Sequence, residues 1–153
     1  MKHFFCVIVI VLLVNGCSSS GISTVRVSGE VSYQGKPLEN ALVVFLPVVE
    51  NKDIRGASAT TDANGKFTLE TLGATKTGAM LGNYNVVVTK EVQTNQEQMN
   101  AEYAANKDNP SYSSSTMPQF KNLLPKKYAE QSTTPLKAEV KKGKNHFAFE
   151  LTE

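Results

Sequence analysis

From Val25 onward apolar and polar residues alternate, with Val25, Val27, Val31 and Tyr33 on one face and Arg26, Ser28, Glu30 and Ser32 on the other. A period of two predicts a strand with one face on a core and one in solvent. Gly29 interrupts the apolar face and marks a bulge or a close approach by another group. Turn residues fill Gln34 to Asn40. The β-branched, apolar run Ala41 to Leu46, closed by Pro47, predicts a second strand.

After a loop over Val48 to Ser58, a turn centred on Asn64-Gly65 leads into alternating Phe67 and Leu69. Both turn residues tolerate positive φ, so a type I′ hairpin is expected, with Asp62 bonding the turn backbone. Gly73 to Gly82 reads as a loop with Met80 and Leu81 as an apolar plug, and Tyr84 to Thr89 as a central strand. Leu123 to Tyr128 reads as a docking turn. Leu136 to Val140 and Phe147 to Leu151, joined by Lys-Lys-Gly-Lys-Asn, read as a terminal hairpin.

Residues 91–122 break this rhythm, being rich in Gln, Asn, Ser, Lys and Tyr and punctuated by Pro110 and Pro118. A helical stretch is expected around Gln96 to Ala105. Long irregular segments in compact domains are functional or mobile, and this composition favours mobility. About six or seven short strands with little helix predict an all-β, antiparallel sandwich over residues 25–153, with 91–122 as a polar insert. The expected core is Val27, Val31, Leu42, Val44, Phe67, Leu69, Val86, Val88, Phe147 and Phe149.

The N-terminus follows another pattern. Lys2 precedes an unbroken apolar run, Phe4 to Val14, and then come Asn15, Gly16 and Cys17. The run is about 11 residues against the roughly 20 that a membrane-crossing helix needs, so residues 1–16 read as a signal peptide. Val14-Asn15-Gly16-Cys17 resembles the bacterial lipobox, with Asn15 as its atypical member. That resemblance implies cleavage before Cys17 and a diacylglyceryl thioether on its sulfur, so that membrane lipid is the first partner. Each buried methylene contributes about 0.8 kcal/mol, so two or more chains anchor stably. Residues 17–24 are the lipidated Cys and a polar tether, and Ser18 to Ser23 span about 20 Å when extended. Cys6 leaves with the leader, so the mature chain has no disulfide. Under enteric sorting logic Ser18 favours the outer membrane, on its periplasmic face.

Composition narrows the remaining classes. The chain has 153 residues, which fits one domain, and 16 basic against 14 acidic residues leave a net charge of +2. That balance argues against a nucleic-acid partner. His146 is the histidine left after the leader is removed, and its place in an alternating strand suits a structural or exposed role. Asp62-Ala63-Asn64-Gly65 matches only the start of a calcium loop, with no glutamate at the twelfth position, and reads as a turn. No zinc cluster or phosphate loop is present in the sequence, and neither cofactor nor metal is expected. Lys126, Lys127, Lys137, Lys141, Lys142 and Lys144 could attract anionic lipid or glycan, although solvated turns explain them more simply.

Three motifs then stand in order: Gly29-Glu30-Val31 through Gly35-Lys36-Pro37-Leu38-Glu39-Asn40-Ala41, Thr61-Asp62-Ala63-Asn64-Gly65-Lys66-Phe67, and Gly82-Asn83-Tyr84-Asn85-Val86. They resemble the carboxypeptidase regulatory-like domain over residues 25–90. The tail from Leu124 resembles that of small bacterial lipoproteins built on it. The resemblance implies a transthyretin-like sandwich of seven strands serving as a structural or adhesive element. The expected function is therefore a non-catalytic, lipid-anchored envelope module with envelope proteins or glycans as partners. A carrier of a small hydrophobic ligand is the alternative and would require an oligomer channel or an apolar pocket. A hydrolase is the weakest reading.

Overall fold

A computed structural model of the chain describes residues 21–48 and 54–153. The leader, Cys17 and the first tether residues lie outside the described residues. In chain order the strands are β1 (Val27–Tyr33), β2 (Lys36–Pro37), β3 (Leu42–Pro47), β4 (Ala57–Thr60), β5 (Lys66–Thr68), β6 (Glu70–Thr71), β7 (Gly82–Thr89) and β8 (Glu91–Gln93). After them come the helix α1 (Gln96–Asn106), β9 (Phe120–Asn122), a 3₁₀ turn (Lys126–Tyr128), β10 (Lys137–Val140) and β11 (Asn145–Leu151).

The protein is an all-β sandwich. One sheet has β1 at its centre, with β11 along one edge and β2 and β5 along the other. The second runs β10-β7-β3-β4-β6, and β8 and β9 pair as a separate ribbon. Val27, Val31, Phe67, Phe149 and Leu151 from the first sheet pack with Val43, Phe45, Tyr84, Val86 and Val88 from the second. Phe45 is the hub: its ring centroid lies 5.7 Å from those of Tyr84 and Phe147, 6.1 Å from Phe149 and 6.4 Å from Phe67. Tilted and edge-on pairs of this kind add about 0.5–1.5 kcal/mol each beyond area burial.

Phe45 is absent from the expected core because the register of β3 differs by one residue from the sequence reading. Ala41, Val43 and Phe45 are buried, whereas Leu42 is 45% exposed and Val44 half-buried. The run Ala41 to Leu46 contains no polar residue to reveal its phase. The phase is set by Asn40, at φ 54°, and by Thr61, whose hydroxyl accepts from the Ala41 N–H at 2.9 Å and donates to the Leu38 carbonyl at 2.6 Å. A one-residue slip turns every side chain to the other face.

The terminal hairpin is also corrected. β10 pairs with β7 in the second sheet, while β11 pairs with β1 in the first, and that pair is parallel, from Val27↔Asn145 to Tyr33↔Leu151. The fold is thus not wholly antiparallel. The turn at 141–144 crosses between sheets, held by the Asn145 side chain, which accepts from Lys141 N at 2.9 Å and donates to Lys141 O at 2.8 Å. Crossing lets Ala138 and Val140 enter the core from one sheet and Phe149 and Leu151 from the other.

The Asn64-Gly65 turn likewise joins strands of different sheets. Gly65 takes φ 73° while Asn64 does not take positive φ, so this is not the type I′ turn expected. Gly65 N donates to Asp62 O, Asp62 N to Lys66 O, and the Asp62 carboxylate accepts from Asn64 N at 2.8 Å and Lys66 N at 2.9 Å. These bonds define a type I turn followed by a left-handed glycine. Positive φ at two successive residues occurs instead at Gln34 (51°) and Gly35 (75°), between the paired Tyr33 and Lys36. In the 73–82 loop Ala79, not Leu81, plugs the core: Ala79 is fully buried and bridges Val25, whereas Leu81 is 42% exposed.

Candidate functional site

The strand ends define two poles. At one pole lie the start of β1, the turn 141–144 and the start of β7. At the other are Gln34-Gly35, the Asp62 turn and the end of β7, from which the insert departs. β7 has 8 residues and at about 3.3 Å per residue separates the poles by about 25 Å. The chain enters at the first pole, where Thr24 Oγ1 donates to Lys76 O at 3.1 Å and Val25 exchanges backbone bonds with Ala79. The insert is therefore displayed at the end opposite the one where residues 21–25 join the sandwich.

The insert is not an irregular excursion. Its base is the β8–β9 ribbon, closed by Asn122, whose carboxamide oxygen accepts from Lys90 N at 3.0 Å and Leu124 N at 3.2 Å. Above it Asn95 bridges the two arms, donating to Met117 O at 2.8 Å and accepting from Gln119 N at 2.9 Å. α1 follows over Gln96–Asn106, close to the expected stretch, and buries none of its residues. Glu102 draws the returning loop back onto α1, accepting from Ser115 N at 3.1 Å and from the Ser114 and Ser115 hydroxyls at 3.3 Å. Hydrogen bonds from the Thr116 hydroxyl foremost, and then the Ser115 N–H, hold its carboxyl down at about 2.

Polar stitching leaves apolar side chains outside. Of the large exposed hydrophobics, Tyr103, Met117 and Phe120 sit on the insert and Leu123 at its exit, with Met117 76% exposed. A cleft of about 540 Å³ beside them is lined chiefly by amides, Gln93, Asn95, Gln96, Gln98 and Gln119. Exposed aromatic and Met side chains amid carboxamide donors and acceptors suit recognition of another surface. Sequence reasoning found the segment but not this arrangement, because the ribbon pairs residues far apart in the chain.

The other chemistry-bearing side chains lie on the outer face of the first sheet. His146 stands opposite Ser28 in the parallel register, with Nδ1 3.4 Å from Ser28 Oγ. Glu30 and Glu150 line one cleft of about 380 Å³ with Ser32 and Asn64. Glu30, Ser32 and Glu150 lie on β1 and β11 and Asn64 in the turn before β5, and all four are exposed or half-buried. A mainly apolar hollow of about 400 Å³ opens beside Val48, Tyr84, Ala138 and Phe147. Asp62, Asn64 and Gly65 form the turn described above. Among the described residues no three His, Cys, Asp or Glu side chains group as metal ligands, and no helix is long and apolar enough to cross a membrane.

An all-β sandwich that displays a polar-stitched insert is thus the class of protein. Residues 27–135 match the family described as Domain of unknown function (DUF6795), and the chain belongs to that family. No curated protein matches the chain significantly. Among solved structures it is similar to a 9R-lipoxygenase from Cyanothece PCC8801 at 17% identity and a TM-score of 0.38, the match covering 84% of this chain and 16% of that one.

Proposed function

We propose that this protein is a non-catalytic, lipid-anchored module of the bacterial cell envelope that holds a binding insert away from the membrane. The observation that carries the reading is Val14-Asn15-Gly16-Cys17 at the end of the apolar run Phe4 to Val14. Acylated Cys17 fastens the chain to the membrane, on the periplasmic face of the outer membrane by the logic of Ser18. The tether joins the sandwich at one pole and the insert leaves from the other, which supports a spacer between bilayer and partner. The exposed Tyr103, Met117 and Phe120 and the amide-lined cleft support an envelope protein or a glycan as that partner. The resemblance to the carboxypeptidase regulatory-like domain, a structural or adhesive element, supports the same role.

The test is capture from envelope extract with the anchored chain, compared with a chain whose residues 96–117 are replaced by a short linker. A partner retained by the full chain and lost with the insert is the expected result. A partner retained equally by both would move the binding role to the sandwich.

A further inference from the structure

The charges of the chain are not spread evenly. At the insert's pole Lys36, Lys66, Lys90, Lys126 and Lys127 stand among Glu39, Asp62, Glu91 and Glu153, but Lys141, Lys142 and Lys144 occupy the turn between Val140, paired with Gly82, and Asn145, paired with Val27. That is the pole where the tether enters. Arg26, Arg55 and Lys76 stand there too, all exposed: Arg26 precedes β1, the Lys76 carbonyl accepts from Thr24, and Arg55 Nη1 donates to Leu72 O at 3.4 Å. Against these six cations the described acids are Glu70 and Glu139, and Glu139 is already paired with Lys141 at 2.8 Å. Residues 49–53, between Val48 and Ile54 in the sequence, lie outside the described residues and include Glu50, Lys52 and Asp53. The pole is positive on a chain whose remainder is close to balanced.

The same pole carries a second feature. Val48 follows β3, Leu72 follows β6 and Leu81 precedes β7, and they are 51%, 89% and 42% exposed. Cations ringing exposed aliphatic side chains match a surface that is anionic outside and apolar a few ångströms deeper.

We propose that this pole docks flat on an anionic lipid bilayer, the same leaflet that takes the acyl chains of Cys17. The inference rests on the anchor reading for its choice of occupant: the six residues Ser18 to Ser23 reach only about 20 Å even when extended, so an anchored domain cannot leave the surface. Charge complementarity chooses the face. Docking turns a loosely leashed domain into an oriented one, with the insert held about 25 Å or more from the headgroups.

The test uses the mature chain purified from membranes and reconstituted into vesicles of phosphatidylcholine alone or of an equal mixture with phosphatidylglycerol. An environment-sensitive fluorophore is placed at the exposed Thr75→Cys or, on the insert, at Ala105→Cys, and quenched by spin-labelled lipid. Quenching at position 75 should rise several-fold over that at 105 in the mixed vesicles, and fall back in about 1 M salt, where the screening length is near 3 Å. Equal quenching at both positions in mixed vesicles would overturn the proposal. The triple change Lys141→Glu, Lys142→Glu, Lys144→Glu should abolish the difference; a difference that survives in a folded variant counts against the proposal, and the salt series supplies the same reading if the variant does not fold. Flotation with pure phosphatidylcholine reads the acyl anchor separately. If the chain does not float there, the anchor reading fails, and the pole is then read by low-salt flotation with mixed vesicles: about tenfold or more enrichment over phosphatidylcholine supports it, and equal partition overturns it.

Discussion

Gly29 and Phe67 face each other across β1 and β5, and the Phe67 ring fills the space that a side chain at position 29 would need. A Cβ on Gly29 would lie 2.5 Å from Phe67 Cζ and 2.2 Å from the Phe147 carbonyl oxygen. The glycine that interrupts the apolar face of β1 is thus a seat for an aromatic ring and for the backbone of β11. Gly29→Ala should destabilise the sandwich by about 2 kcal/mol or more, since neither backbone nor ring can move freely in a packed core. Denaturant unfolding measures it. At Gly35, where nothing lies within 4 Å, alanine meets only the left-handed backbone penalty of roughly 1 kcal/mol.

The hub position of Phe45 separates the two registers open to β3. Phe45→Ala should cost about 3–5 kcal/mol, and Leu42→Ala less than about 1 kcal/mol, because Leu42 is almost half exposed. Comparable costs for both, or the reverse order, would contradict the observed register.

Glu102 makes the closure of the insert sensitive to acid. Its folded pKa, about 2, lies below the ordinary 4.5, so ionisation favours the closed loop. The contribution is fully present above pH 4.5 and is lost as the pH falls through about 2. The amide resonances of Ser114 and Ser115 should therefore move toward random-coil positions across that window, while those of the sandwich hold. Glu102→Gln should reproduce the acid shifts at neutral pH, and unchanged Ser115 shifts in that variant would contradict the role given to the carboxylate.

Asp62 organises its turn through two backbone N–H groups, so Asp62→Ala should cost about 1 kcal/mol in thermal or denaturant unfolding. Gly65→Ala should cost more. Its Cβ would lie 2.4 Å from the Val31 carbonyl oxygen at a φ of +73°.

These positions show where the sequence was legible. Alternation in β1 marked Val27 and Val31 correctly, because polar Ser28 and Glu30 phase the strand against water. In Ala41 to Leu46 every residue is apolar, so nothing local distinguishes Val43 and Phe45 from Leu42 and Val44. The turn at 141–144 is visible in its Lys and Gly residues and the Asn145 that follows. The sheet that each flanking strand joins was not, since a tight turn can cross between layers as readily as close a hairpin. Helix α1 was placed by its composition. Its ribbon was not, because β8 and β9 are short, polar and distant in sequence. The Ser28–His146 opposition escaped for the same reason: it exists only once β11 is known to lie parallel to β1.

Whether this sandwich stands on a membrane depends on the chemistry of one sulfur atom. Intact-mass and fragment mass spectrometry of the native protein should find a chain that begins at Cys17, lacks residues 1–16 and carries a diacylglyceryl group on Sγ. A free thiol at Cys17, or a chain that retains the leader, would contradict the anchor and the function built on it.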